Sequence, residues 1–192
     1  MMHRWLYTGR LALLAIVVAC APLPAQPTTT PPAHAAAPAA LPPDVASPEA
    51  VVTALYDVIS GPAAQPRNWD RFRSLFLPGA RLVFILPTPS GDRLFNLPVD
   101  EFIQLAGPGY QSGAGFWETE IGVHTDRFGK VAQVFSAYES RVTGPSGAVA
   151  ERGINSVQVI HHENRWWIVN LVFDTESASN PIPPQYLASP RN

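Results

Sequence analysis

The stretch 154-INSVQVIHHENRWWIVNLVFDTE-176 decides the fold. Two runs rich in Val, Ile, Trp and Phe flank Glu163-Asn164, which predicts a β-hairpin closed by a two-residue turn. His162 then faces Arg165, His161 faces Trp166, Val159 faces Ile168 and Asn155 faces Val172. Alternation places Asn155, Val157, Val159, His161, Trp166, Ile168, Asn170, Val172 and Asp174 on one face. The opposite face receives Ile154, Ser156, Gln158, Ile160, His162, Trp167, Val169, Leu171 and Phe173. The two histidines diverge, so they cannot ligate one ion, and no metal is expected. Both faces of the last strand read as apolar, unlike a sheet with one wet side. One face therefore packs on helices, and the other calls for a cover such as a second subunit.

Upstream, Ser47-Pro48-Glu49 opens a helix with a serine cap, proline in the first turn and an acid beside it. Val51, Val52, Leu55, Val58 and Ile59 follow at helical spacing, and Gly61 ends the run. A short second helix starts at Asn68. Strands are expected over 81–86 and 94–97, then a third helix over 99–106 and a glycine-rich loop over 107–115. Strands over 116–125, 130–141, about 150–162 and 165–175 complete an antiparallel meander. Helices first and long strands last define an α+β fold.

This order, with the strings GFWETEI (115–121), VFSAYESR (134–141), RGINSVQ (152–158), RWWIV (165–169) and NPIPPQYL (180–187), resembles the nuclear transport factor 2-like superfamily. Within it the strings look like a bacterial subgroup of the SnoaL-like branch, over roughly residues 48–187. The resemblance implies a cone-shaped, strongly curved antiparallel sheet wrapped around three N-terminal helices, an apolar pocket inside, and homodimerisation through the outer sheet face. The superfamily spans isomerases, dehydratases, hydrolases and cyclases as well as non-catalytic binding domains, so the fold alone leaves function open. Members of the subgroup often carry a histidine where Gly122 or Val123 stands here.

The N-terminus speaks about address. Arg4 and Arg10 precede the apolar run Leu11–Ala19, the layout of an export signal too short to span a bilayer. Val17-Val18-Ala19-Cys20 resembles a bacterial lipobox, which makes Cys20 the lipidation site, with plain secretion as the alternative. Ala21, in place of aspartate, favours the outer membrane. Residues 20–47 form a Pro/Ala/Thr-rich tether, and 188–192 a tail. A single cysteine excludes an intrachain disulfide. A net charge of −2 leaves no basic footprint for nucleic acid.

Candidate chemistry falls on two sets of residues. Pairing Thr125 with Lys130 puts Glu118, Glu120 and Glu139 on one strand face, with Tyr138, Trp117, Thr119 and Ser136 on the other. The acids either line the pocket, where burial lifts a carboxyl pKa, or form a solvated face paired to Arg127, Arg141 or Arg152. Which face lines the pocket is open, so Tyr138 stands as a candidate beside Glu118 and Glu120. Asn155, Asn170 and Asp174 share the face of Trp166. With Tyr56, Trp69 and Phe84, they would orient a ligand or else satisfy backbone groups. No cofactor motif is present; the 107–115 glycines do not join a strand to a helix, as a nucleotide loop requires. The expected function is an envelope-tethered, homodimeric pocket domain for a small, largely apolar molecule. The alternatives are an isomerase, dehydratase or hydrolase using a pocket carboxylate, and a protein-interaction module.

Overall fold

The structure, a computed structural model, describes residues 36–187. Cys20, the export segment, residues 20–35 of the expected tether and the 188–192 tail lie outside the described residues. The chain enters the fold before Pro48. A 3-10 turn at Pro42–Val45 buries Asp44 and Val45, and Asp44 receives the Arg71 guanidinium through Nε (2.7 Å) and Nη2 (3.0 Å). The tether therefore ends a few residues earlier than its composition suggests.

Helix α1 (Pro48–Ile59) begins as expected, with Ser47 Oγ accepting from Ala50 N at 3.1 Å. Such a cap contributes about 1 kcal/mol. Val51, Val52, Leu55, Val58 and Ile59 are all buried on the face it turns to the sheet. Strand β1 (Gly61–Pro62) follows, then α2 (Trp69–Ser74), β2 (Phe76–Thr88), β3 (Gly91–Pro98) and α3 (Val99–Tyr110). The remainder is β4 (Gly115–Phe128), β5 (Val131–Arg141), β6 (Glu151–His162) and β7 (Arg165–Thr175). The seven strands form one sheet in the order β1-β4-β5-β6-β7-β2-β3. It is mixed, not wholly antiparallel as expected, because β2 runs parallel to β7. Phe72, Leu75, Phe76, Leu82, Val134, Val157 and Ile168 form the fully buried centre between helices and sheet.

Helix α3 extends through Gly107-Pro108-Gly109 to Tyr110, where the sequence suggested a loop. Pro108 lies in the last turn, so the hydrogen bond it removes and its crowding of the preceding turn disturb only the helix end, and Gly107 gives way to the Trp69 indole, 3.2 Å from where a Cβ would stand. Only residues beyond Tyr110 are turn.

Two bulges correct the face assignments. The β6–β7 turn has Glu163 and Asn164 at φ 51° and 59°, and His162 pairs with Arg165, as the hairpin reading requires. Val159 pairs with Ile168, but Gln158 pairs with Asn170, so Val169 is an extra residue. Beyond it alternation inverts. Leu171 and Phe173 join Trp166 and Ile168 on the inner face, whereas Asn170, Val172 and Asp174 turn outward. Asn155 accordingly faces Phe173, not Val172. With the bulge counted, the outer side of β7 carries Asn170, Val172 and Asp174 beyond Trp167, so the strand is not apolar on both sides. Outside, Trp167 is covered by the chain itself: Arg165 lies over its ring at 3.6 Å, and its Nε1 donates to His162 O.

In β4, Glu120 pairs with Tyr138 and Gly122 with Ala137, leaving Ile121 over. The turn also sits later than expected, with Phe128 opposite Val131. Glu118 and Glu120 therefore share the inner face with Tyr138 and Ser136, while Glu139 joins Trp117 and Thr119 outside. Glu139 is ion-paired to Arg141 there.

The segment after β7 folds back over the outer face. Ile182 is buried with its N–H on Glu176 Oε1 (2.9 Å), and the Tyr186 ring meets Phe135 at 4.8 Å. A Cβ at Gly122 would collide with the Tyr186 carbonyl. A histidine at 122 is incompatible with this strap.

Candidate functional site

Between the three helices and the inner face of the sheet lies a cavity of ≈ 210 Å³. Its helix side is apolar: Leu55 and Ile59 from α1, Phe72 from α2 and Phe102 from α3. Its polar groups are Glu118 from β4, Tyr138 from β5, Glu151 and Asn155 from β6, and the Tyr110 phenol at the end of α3. Glu151 is exposed, which marks the side open to solvent.

Local sequence explains how these side chains reach one place. Gly153 faces Tyr138 across the β5–β6 pair, and a Cβ there would fall 2.6 Å from the Tyr138 hydroxyl. The glycine lets the tyrosine ring lie flat across the sheet, and Tyr138 Oη then donates to Glu151 Oε1 at 3.1 Å. Ser60, just past α1, links the helix end to Glu118: its Oγ accepts from Glu118 N (3.0 Å) and donates to Tyr56 O (2.7 Å), with Glu118 O a more distant acceptor for the same proton (3.3 Å).

Behind the cavity runs a buried chain of hydrogen bonds. The Asn155 amide donates one proton to Glu118 Oε1 (3.2 Å) and the other to Tyr56 Oη (3.1 Å). Tyr56 Oη lies 2.8 Å from Ser136 Oγ, which donates to Glu120 Oε2 at 2.7 Å. Since an amide nitrogen only donates, the Tyr56 proton points to Ser136 and every bond in the chain has a fixed direction. Asn155 lines the cavity, and its amide satisfies two buried side chains, where the sequence suggested backbone groups.

Burial is the main reason the Glu118 carboxyl is pushed up to about 8, with nearby Glu151 adding to the effect and the Asn155 bond opposing it. Glu118 keeps some accessible surface, but that surface borders the cavity, where protein surrounds the charge. Burial likewise raises Tyr56, Tyr110 and Tyr138, so these phenols stay protonated at neutral pH. Glu118 is thus mostly a neutral acid at pH 7, able to donate or to accept a proton.

Of the residues singled out from sequence, Glu118, Tyr138 and Asn155 line the cavity. Tyr56 and Glu120 belong to the chain behind it. Trp69 packs on Gly107, Phe72 and Tyr110, outside the lining. Phe84 is stacked between Phe95 and Phe173, away from the space itself. Trp166 is buried at the turn end of its hairpin, between His161 and the Arg127 guanidinium. Asn170 and Asp174 are removed from this side by the Val169 bulge, and Glu139 by the Ile121 bulge. Tyr110 and Glu151 were not anticipated. Tyr110 was hidden in an expected loop, and Glu151 beside Arg152 resembles an ordinary charged strand start. The signal that points to Glu151 is Gly153, an isolated strand glycine opposite a tyrosine. Among the described residues no cluster of three or more His, Cys, Asp or Glu side chains is arranged to hold a metal ion, and no helix is long and apolar enough to cross a membrane.

Solved structures of similar shape define the class. A cystatin-like protein of unknown function from Nostoc punctiforme superposes with a TM-score of 0.51 at 10% identity, over 67% of this chain and 87% of that one. A Mycobacterium tuberculosis protein of unknown function gives 0.50 at 12%, over 69% and 72%. A Streptomyces avermitilis protein of the NTF2-like family, provisionally a dehydratase, gives 0.50 at 13%, over 66% and 92%. The fold is therefore NTF2-like, also called cystatin-like. No protein-family model matches the sequence, and no curated protein matches it.

Proposed function

We propose that this domain binds a small, largely apolar molecule with one polar end in its inner cavity, and that it does so as a homodimer. The observation that carries the first part is the division of the cavity wall, with aliphatic and aromatic groups on the helix side and convergent polar groups on the sheet. An apolar cavity of about 150 Å³ takes a benzene-sized guest. A space of ≈ 210 Å³ suits one ring, or a short chain, with a small substituent. Native mass spectrometry of protein purified from its own host tests both parts together. A copurified mass of about that size on a dimer supports the reading. An empty monomer that also fails to take up any small aromatic probe overturns it.

The dimer is supported by the outer face. A second, larger groove of ≈ 560 Å³ is lined there by Phe128, Val131, Ile160 and Val169, and Phe128 is 86% exposed. A patch of this kind usually marks an interaction site. Export and lipid attachment at Cys20 belong to the same proposal. Palmitate labelling that persists in Cys20→Ser would remove the anchor from it.

A second reading, proton transfer on the bound molecule, is favoured by Glu118. A buried carboxyl at about 8 is tuned for general acid–base work near neutral pH, as isomerases and dehydratases require. Turnover lost in Glu118→Gln with ligand binding retained would support catalysis; binding without turnover of any copurified compound leaves the first reading alone.

A further inference from the structure

The cavity joins two features that pull in different directions. It is walled by the rings of Phe72, Phe102, Tyr110, Phe116, Tyr138 and Phe173, yet it contains two carboxyl groups, Glu118 and Glu151. The groups facing Glu118 are Glu151 from β6, Tyr138 from β5, Tyr56 from α1, Tyr110 from α3 and the Asn155 amide. None is a cation.

The positive charge beside Tyr110 is already engaged. Arg67 is buried and donates to five backbone carbonyls: Ile59 (2.6 Å), Gly61 (2.5 Å), Pro62 (3.2 Å), Gln65 (2.9 Å) and Tyr110 (2.8 Å). It holds the ends of α1 and α3 together and does not line the cavity. One Glu118 oxygen accepts from Asn155, and the other has no hydrogen bond among the described residues.

Carboxyl groups without a counter-ion, enclosed by aromatic faces, are complementary to one kind of guest. An ammonium gains from carboxylates and from ring quadrupoles at once, and an apolar body fills the rest of the space. We infer that the ligand of this cavity is a small apolar amine, bound as its ammonium between Glu118 and Glu151 with its hydrocarbon part against the phenylalanines. The inference rests on the ligand-binding reading above and gives that ligand its charge.

A consequence for protons follows. With Glu118 at about 8 in the free protein, most molecules carry its proton at pH 7. An ammonium favours the ionised form, so binding drives that proton into the buffer.

Three probes of matched size distinguish the possibilities: benzylamine, benzyl alcohol and acetophenone, titrated calorimetrically into the full protein at pH 7. Benzylamine is expected to bind at least about tenfold more tightly than either neutral probe. Its heat is expected to vary with the ionisation enthalpy of the buffer, corresponding to release of up to about one proton. Glu118→Gln and Glu151→Gln should each erase the amine preference while benzyl alcohol still binds. Glu139→Gln, on the outer face, should leave the preference intact. If Glu118→Gln does not fold, the exposed Glu151→Gln carries the test alone. Benzyl alcohol or acetophenone equalling or exceeding benzylamine would overturn the amine inference and leave the cavity reading standing. Failure of all three to bind would overturn both.

Discussion

At the scale of single residues, Glu118 makes the sharpest prediction. Its carboxyl is near 8 in the folded protein and near 4.5 when unfolded, so the native state holds a proton that the unfolded chain releases. The resulting stability is complete below about 4.5 and is lost as the pH rises through 8. Chemical denaturation from pH 5 to 8.5 should show wild type losing on the order of 3 kcal/mol relative to Glu118→Gln. Parallel curves for the two proteins would show that Glu118 is not buried as described. Asn155 supports that carboxyl and Tyr56 together. Asn155→Ala leaves two buried acceptors without their donor, and should cost about 2–3 kcal/mol in the denaturation midpoint. It should also move Glu118 further upward, since the lost bond favoured the ionised form. Titration of the Glu118 carboxyl carbon by NMR checks the direction.

At the scale of elements, the strap and the bulges fix which side chains face inward and which part of the outer face is covered. Gly122→Ala places a methyl group against the Tyr186 carbonyl, so the 180–187 segment must lift or the strand must move. The expected result is faster proteolysis near Tyr186 and a loss of about 1–3 kcal/mol; Gly91→Ala, with open space around it but a positive φ, separates crowding from backbone strain. The same elements mark how far the chain could be read from its sequence. The Ser47 cap, the Glu163-Asn164 turn and the order of helices and strands were all legible, because caps, turns and periodicity leave local marks. Ile121 and Val169 were not. Val169 sits among apolar strand residues that do not distinguish a surplus residue from a paired one, and the local mark beside Ile121 is Gly122, an isolated strand glycine that signals a bulge without saying which residue is surplus. Each therefore misdirected every side chain beyond it, Asn170 and Asp174 in one strand and the partners of Glu118 in the other. Glu118, Tyr138 and Asn155 could still be named because carboxyl, phenol and amide groups stand out within apolar strands. Which of them meet depended on the bulges.

At the scale of the whole molecule, the outer face is split. The strap covers it around Gly122 and Phe135, while Phe128, Val131 and Val169 stay exposed at the other end. If that end holds a second copy, Phe128→Asp should convert a dimer to a monomer in sedimentation equilibrium. The mutant's own stability should change by no more than about 0.5 kcal/mol. A wild type that sediments as a monomer at high micromolar concentration would discard the dimer. The two surplus residues matter at this scale in another way. Neither Ile121 nor Val169 touches the cavity, but a bulge bends its strand and tightens the local twist. Removing either residue keeps the flanking pairs as they are, Glu120 with Tyr138 or Gln158 with Asn170, so every inward side chain stays inward. What changes is the curvature of the wall they stand on. In such a fold the room available to a ligand and the chemistry offered to it are inherited separately: single-codon deletions adjust the first, and substitutions adjust the second.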